Sequence, residues 1–233
     1  MKKNVLFVVL FVGFILSVFG QSVSDFKYKV INGGITITDY KGSVKSVVIP
    51  EKINGYSVIA IGDSAFCGNS TGNRLTSITL PNSITTIGNW AFDNNQLTSI
   101  TLPNSITTIG ENVFSNNQLT SITLPNSITT IGEEAFRNNK LTSITLPNSI
   151  TTIGLCAFAD NQLISITLPN SLITIEEAAF LNNKLTSITL PNSITTIKEG
   201  AFLNNKLTSV IIPISIIYLS TNVFDKNVRL TRR

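Results

Sequence analysis

Apolar and polar positions alternate in a fixed order along most of this chain. From Leu75 to Lys206 the pattern L-T-S-I-T-L-P-N-S-I-T-T-I-G-x-x-A-F-x-N-N-x recurs six times at a period of 22 residues, and self-similarity on that scale is the mark of a stacked-repeat architecture. Two looser copies flank these six. Val44 to Arg74 keeps V-x-S-V-V-I-P and I-G-x-x-A-F around insertions, and Leu207 to Asn227 keeps L-T-S-V-I-I-P and V-F. Phe92, Phe114, Phe136, Phe158, Phe180, Phe202 and Phe224 mark the register, with Phe66 one longer unit earlier. The pattern predicts about eight coils.

Within the unit Leu97 to Gln118, Ile100 and Leu102 alternate with Ser99 and Thr101, the period-2 signature of a short strand with one buried face. Pro103 ends it. Ile106 and Ile109 are three apart, so they are expected in a turning segment that keeps returning apolar side chains inward, and Phe114 closes the coil. One such unit cannot bury its own apolar face, whereas stacked units align Leu on Leu, Ile on Ile and Phe on Phe. The Asn column at positions 95, 117, 139, 161, 183 and 205 is expected to do the polar equivalent, its amides satisfying backbone groups in each turn and in the next coil.

With these residues in view, the chain closely resembles the BspA-type leucine-rich repeat, whose units read L-x-x-I-x-L-P-x-x-I-x-x-I-x-x-x-A-F. The resemblance covers residues 44 to about 227. It departs from the commoner family pattern in its 22-residue period and in using Asn where many members place Cys near the end of each unit. It implies a leucine-rich-repeat solenoid with a parallel β-sheet on the concave side and turns, irregular or short helical segments on the other. An N-terminal β-hairpin cap is expected over residues 21–43, where Phe26, Tyr28 and Val30 precede Asn32-Gly33-Gly34 and then Ile35 and Ile37. Members of such a family resemble surface or secreted proteins that adhere to host proteins and other cells.

Residues 1–20 read differently from the rest. Lys2 and Lys3 precede an apolar run from Val5 to Phe19, with Val18 and Gly20 at the −3 and −1 positions of a cleavage site before Gln21, the layout of a secretory signal peptide. Removing the two lysines leaves 15 basic residues against 13 acidic ones, a net charge of +2. That is too weak for a nucleic-acid partner, since Arg229, Arg232 and Arg233 form the one basic cluster. Residues 228–233 are expected to be a solvated tail.

Little in the sequence points to catalysis. There is no histidine, so triads of the common type are excluded and general acid–base chemistry has few candidates. Cys67 and Cys156 lie four repeats apart, roughly 19 Å at one strand spacing per coil, and are expected to be buried unpaired thiols rather than a disulfide or metal site. Glu111, Glu133, Glu177 and Glu199 share a register broken by Leu155 and read as a solvated ridge beside lysines rather than a cation site. Asn69-Ser70-Thr71 is a glycosylation sequon. No enzyme activity, cofactor or metal is expected.

The candidate binding surface is the strand face. Two outward rows, Ser77/Thr79, Ser99/Thr101, Ser121/Thr123, Ser143/Thr145, Ser165/Thr167 and Ser187/Thr189, make a broad uncharged array of hydroxyls, and solenoids bind along such extended surfaces. An extracellular protein or glycan is the expected ligand; the alternative is that Ser and Thr merely suit exposed strands. A flat ice-like lattice fits a curved sheet poorly. In the last coil Ile211, Ile214, Ile217 and Tyr218 replace polar residues of earlier coils. They are either covered by the tail or form an interface, and self-association into a structural surface protein is the second functional expectation.

Overall fold

The computed structural model describes residues 21–68 and 74–233; the signal-peptide reading and the sequon at Asn69 lie outside the described residues. A 3-10 turn at Val23–Asp25, capped by Ser22, leads into β1 (Phe26–Ile31), which pairs antiparallel with β2 (Gly34–Tyr40). Asn32 (φ 52°) and Gly33 (φ 78°) form the turn between them, both left-handed as a two-residue hairpin of primed type requires. The chain then coils on itself through β3 (Ser46–Val48), β4 (Lys52–Ile53) and β5 (Tyr56–Ile61), with β2 and β5 parallel.

The later coils draw on two strand positions, though residues 187–189 are not themselves paired as a strand. The first row is the Ser–Ile–Thr segment: β6 (Ser77–Thr79) pairs with β3, β10 (Ser143–Thr145) with β12 (Ser165–Thr167), and Thr101 bridges Thr123. The second row comprises β7 (Thr86–Ile87), β8 (Thr108–Ile109), β9 (Thr130–Ile131), β11 (Thr152–Ile153), β13 (Thr174–Ile175), β14 (Thr196–Ile197) and β16 (Tyr218–Leu219). From β8 to β16 it forms one parallel six-stranded sheet, the widest among the described residues. The segment expected to be a turn around Ile106 and Ile109 therefore splits. Pro103 and Ile106 close a turn, while Thr108–Ile109 is extended, because stacking on Thr130–Ile131 gives it a ladder that a lone coil lacks.

The tail is not a loose end. Arg229–Arg232 is β17, parallel to β15 (Ser209–Ile212) in the register Ser209↔Arg229 through Ile212↔Arg232. Leu230 thereby continues the Ile column and Thr231 the Thr column, so the tail is the opening strand of a further coil. Its side chains stay exposed, as a solvated tail would require, but its backbone does not.

The interior is a set of columns. Tyr40, Phe66, Phe92, Phe114, Phe136, Phe158, Phe180, Phe202 and Phe224 stack in sequence with ring centroids 5.3–5.6 Å apart, within the range favoured by offset aromatic pairs. Tyr40, supplied by the hairpin, starts this ladder and ties the cap to the coils. Burial pushes its phenol pKa up, and its hydroxyl donates to Val44 O at 3.2 Å.

The two asparagines of each N-N pair divide the remaining work. The second, for example the buried Asn117, donates to Phe92 O (2.9 Å), Ser115 O (3.0 Å) and Phe114 O (3.3 Å) while accepting from Leu97 N–H (3.1 Å), as the column was expected to do. The first is left-handed: Asn94, Asn116, Asn138, Asp160, Asn182 and Asn204 all have φ of 53–57°, a conformation Asn and Asp tolerate better than other side chains. A second left-handed column holds Trp90, Asn112, Glu134, Cys156, Ala178 and Gly200, and it lies under the variable x of the motif. An alanine held there is strained by roughly 1–2 kcal/mol. Ala178→Gly is accordingly expected to raise stability by about 0.5–1 kcal/mol, net of glycine's larger unfolded-state entropy. Urea denaturation read by Trp90 fluorescence checks it; destabilisation would mean that the Ala178 methyl's packing outweighs the strain.

Candidate functional site

The Ser–Ile–Thr row places its side chains as the alternation demands, with Ile inward and Ser and Thr outward. All twelve nominated hydroxyl residues, Ser77 and Thr79 through Ser187 and Thr189, are exposed, and Ser143↔Ser165 and Thr145↔Thr167 stand opposite one another. Neighbouring hydroxyls can bond along the column, as Ser46 Oγ and Ser77 Oγ do at 2.6 Å.

A third row borders them. The Pro-Asn-Ser corner exposes Asn82, Asn104, Asn126, Asn148, Asn170 and Asn192 in every coil. The corner serines are turned the other way: Ser127 Oγ donates to Ile106 O at 2.6 Å and Ser193 Oγ to Leu172 O at 2.6 Å, stitching each coil to the one before. Sequence reasoning missed the amide row because an Asn before Ser in a turn looks like turn chemistry alone.

Clefts open between the Thr and Asn rows near the C-terminal end, and a pair of them adjoin. The smaller, about 200 Å³, is bounded by Thr167, Asn170 and Thr189. The larger, about 960 Å³, opens one coil further on, where Thr189 and Asn192 meet Ile211, Pro213 and Ile214, with Arg233 in its wall. The structure thus brings the last hydroxyl rung and half of the apolar substitutions into one concavity. Tyr218 belongs instead to the second strand row, with Ile217 immediately before it. Pairing of β17 with β15 leaves Ile211 55%, Ile214 81% and Ile217 88% exposed, so the tail occupies the strand edge without covering these side chains.

The remaining nominated groups sit elsewhere. Cys67 is buried and its thiol approaches Asp93 Oδ2 at 3.9 Å. Cys156 departs from the expected full burial: its left-handed turn position leaves it partly exposed, and desolvation still raises its thiol pKa. Neither is in a disulfide. Arg137 bridges Glu134 (2.9 Å) and Asp160 (3.2 Å), and Lys198 pairs with Glu176. Among the described residues no three His, Cys, Asp or Glu side chains converge on a metal-sized site, and no helix is long and apolar enough to cross a membrane.

The chain matches the family described as BspA type leucine rich repeat region over residues 39–162 and again over 107–231. No curated protein matches it. A leucine-rich repeat protein from Bacteroides ovatus shares 25% identity over 92% of this chain and 67% of its own, with a TM-score of 0.70. A leucine rich cell surface protein from Faecalibacterium prausnitzii shares 22% over 91% of this chain and 76% of its own, with a TM-score of 0.67, which supports the fold. With repeats, columns and family pattern in agreement over most of its length, the chain belongs to the BspA-type leucine-rich repeat family.

Proposed function

We propose that this protein is an exported, adhesin-type binding protein that takes an extended extracellular protein or glycan along its Ser/Thr face. The observation that carries the reading is the register: hydroxyls and corner amides repeat rung after rung, and these rows themselves carry no charge to steer a compact partner. Each hydrogen bond contributes only about 1 kcal/mol net, so affinity accrues by summing equivalent contacts.

Saturable binding of the purified chain to immobilised matrix proteins or glycans is therefore expected. Replacing Thr101, Thr123, Thr145 and Thr167 together by lysine should abolish it, while Thr123→Lys or Thr145→Lys alone should weaken it less than about threefold. Equal loss from one substitution would overturn summed binding.

The exposed Ile217 and Tyr218 favour a second reading, self-association of a structural surface protein through the flank of the last coil. End-to-end pairing of β17 with β1 is disfavoured, because β17 exposes Arg229 and Arg232 and β1 exposes Lys29 and the Asp39-paired Lys27. Mass that rises with concentration, without matrix binding, would move the assignment to this reading.

A further inference from the structure

The Ser/Thr face is uniform until its final two rungs, where its chemistry changes on three columns. The Thr column reaches Ile211, the Asn column reaches Ile214, and the Ser column passes from Ser209 to Arg229 in strand register. Ile211 and Ile214 line the 960 Å³ cleft, whose wall also includes Ile188, Ser209, Pro213 and Arg233 and contains no acidic residue, and Arg229 lies beside it as the strand partner of Ser209. Ser215, the corner serine of this coil, differs from its counterparts: its Oγ is shielded from solvent and has no hydrogen-bond partner. The cleft therefore combines apolar walls, cationic groups at and beside its edge, and one unsatisfied hydroxyl, all on the side from which the hydroxyl rows approach.

We propose that this cleft is an anchoring subsite for an acidic polypeptide segment that carries a large apolar side chain. The apolar side chain fills the space between Ile211 and Ile214, and flanking carboxylates meet Arg229 and Arg233. A neutral glycan has no alkyl or aryl arm for those walls and no charge for the arginines. A few buried apolar anchors dominate most interfaces, so this subsite supplies the discrimination that six near-identical rungs lack. The proposal rests on the binding reading above for the rest of the ligand's path, but not for the subsite itself.

The test is fluorescence anisotropy of the full chain with two labelled peptides: one with a Leu-Phe-Leu centre flanked by glutamates, and the same centre flanked by lysines. Co-sedimentation with phosphatidylcholine vesicles containing phosphatidylglycerol runs beside it. The acidic peptide is expected to bind at least tenfold more tightly than the basic one. Ile211→Thr combined with Ile214→Asn restores the residues of neighbouring coils, so it should stack as they do, and it is expected to weaken the acidic peptide at least tenfold. Arg229→Ser should weaken it and flatten its salt dependence. Equal binding of the two peptides, indifference to the double substitution, or vesicle binding without peptide binding would overturn the proposal, the last pointing to an anionic lipid surface. The four-threonine lysine variant separates the two readings. Loss of matrix binding with peptide binding intact supports both; unchanged matrix binding with peptide binding intact sinks the hydroxyl face and leaves the subsite standing.

Discussion

Asn139→Ala is expected to destabilise the protein by about 4 kcal/mol, a loss that hydrophobic repacking cannot restore. The buried Asn139 donates to Phe114 O (2.8 Å), Phe136 O (3.1 Å) and Arg137 O (3.2 Å) and accepts from Leu119 N–H (3.0 Å), which closes its own coil and joins it to the one before through one side chain. Removing it strands several backbone groups away from water, at about 1–3 kcal/mol for each that finds no new partner. Asn139→Asp should be worse at neutral pH. It would aim a carboxylate at three carbonyl oxygens, so the folded state favours the protonated acid and its pKa lies above the unfolded value of about 3.9. The Asp variant is then most stable below about pH 4 and loses stability as pH rises from the unfolded to the folded pKa. Urea titrations at acid and neutral pH check both variants; an Asp variant less stable in acid would invert the assigned polarity of the site.

The aromatic ladder gives the second large effect. Phe136 is fully buried and contacts Phe114 at 5.5 Å and Phe158 at 5.3 Å, so Phe136→Ala removes two stacked pairs and leaves a cavity, for a loss of about 4 kcal/mol. Phe224, the last ring, contacts Phe202 at 5.4 Å and is 8% exposed. Phe224→Ala is expected to cost about half as much, because a stacked array is stabilised by nearest neighbours and an end has only one. Equal costs would show that the coils are not coupled pairwise. Scanning calorimetry suits the comparison, since a repeat array with a central defect need not melt in one transition.

How much was legible in the sequence depends on which periodicity a feature shares. The Phe, Ile, Leu and second-Asn columns recur every 22 residues and differ from their surroundings in polarity, so their burial followed from counting. The hairpin was readable from Asn32-Gly33 because positive φ at two adjacent residues calls for that dipeptide. The second left-handed column was not, since Trp90, Glu134, Cys156 and Ala178 share no chemistry; their backbone is set by the turn above and below them. The second strand row is hidden in the sequence for a related reason. Two residues carry no strand signature of their own and become extended by pairing with an identical pair one coil away.

The sequence by itself determined that this chain is a solenoid, how long its coils are, which side chains face inward, and that its Ser and Thr rows face out. Those are properties of a repeat and its period. Only the tertiary structure decided that the tail is a strand of a further coil, that the corner asparagines form a third row, and that Ile211 and Ile214 share a cleft with Thr189 while Ile217 and Tyr218 do not. Each of these depends on which residue of one coil lies against which residue of the next. That relation is set by the shape of the closed coil, through hydrogen bonds spanning 20 to 25 positions such as Leu119 N–H to Asn139 and Asn139 to Phe114 O, and no local stretch of the chain contains it.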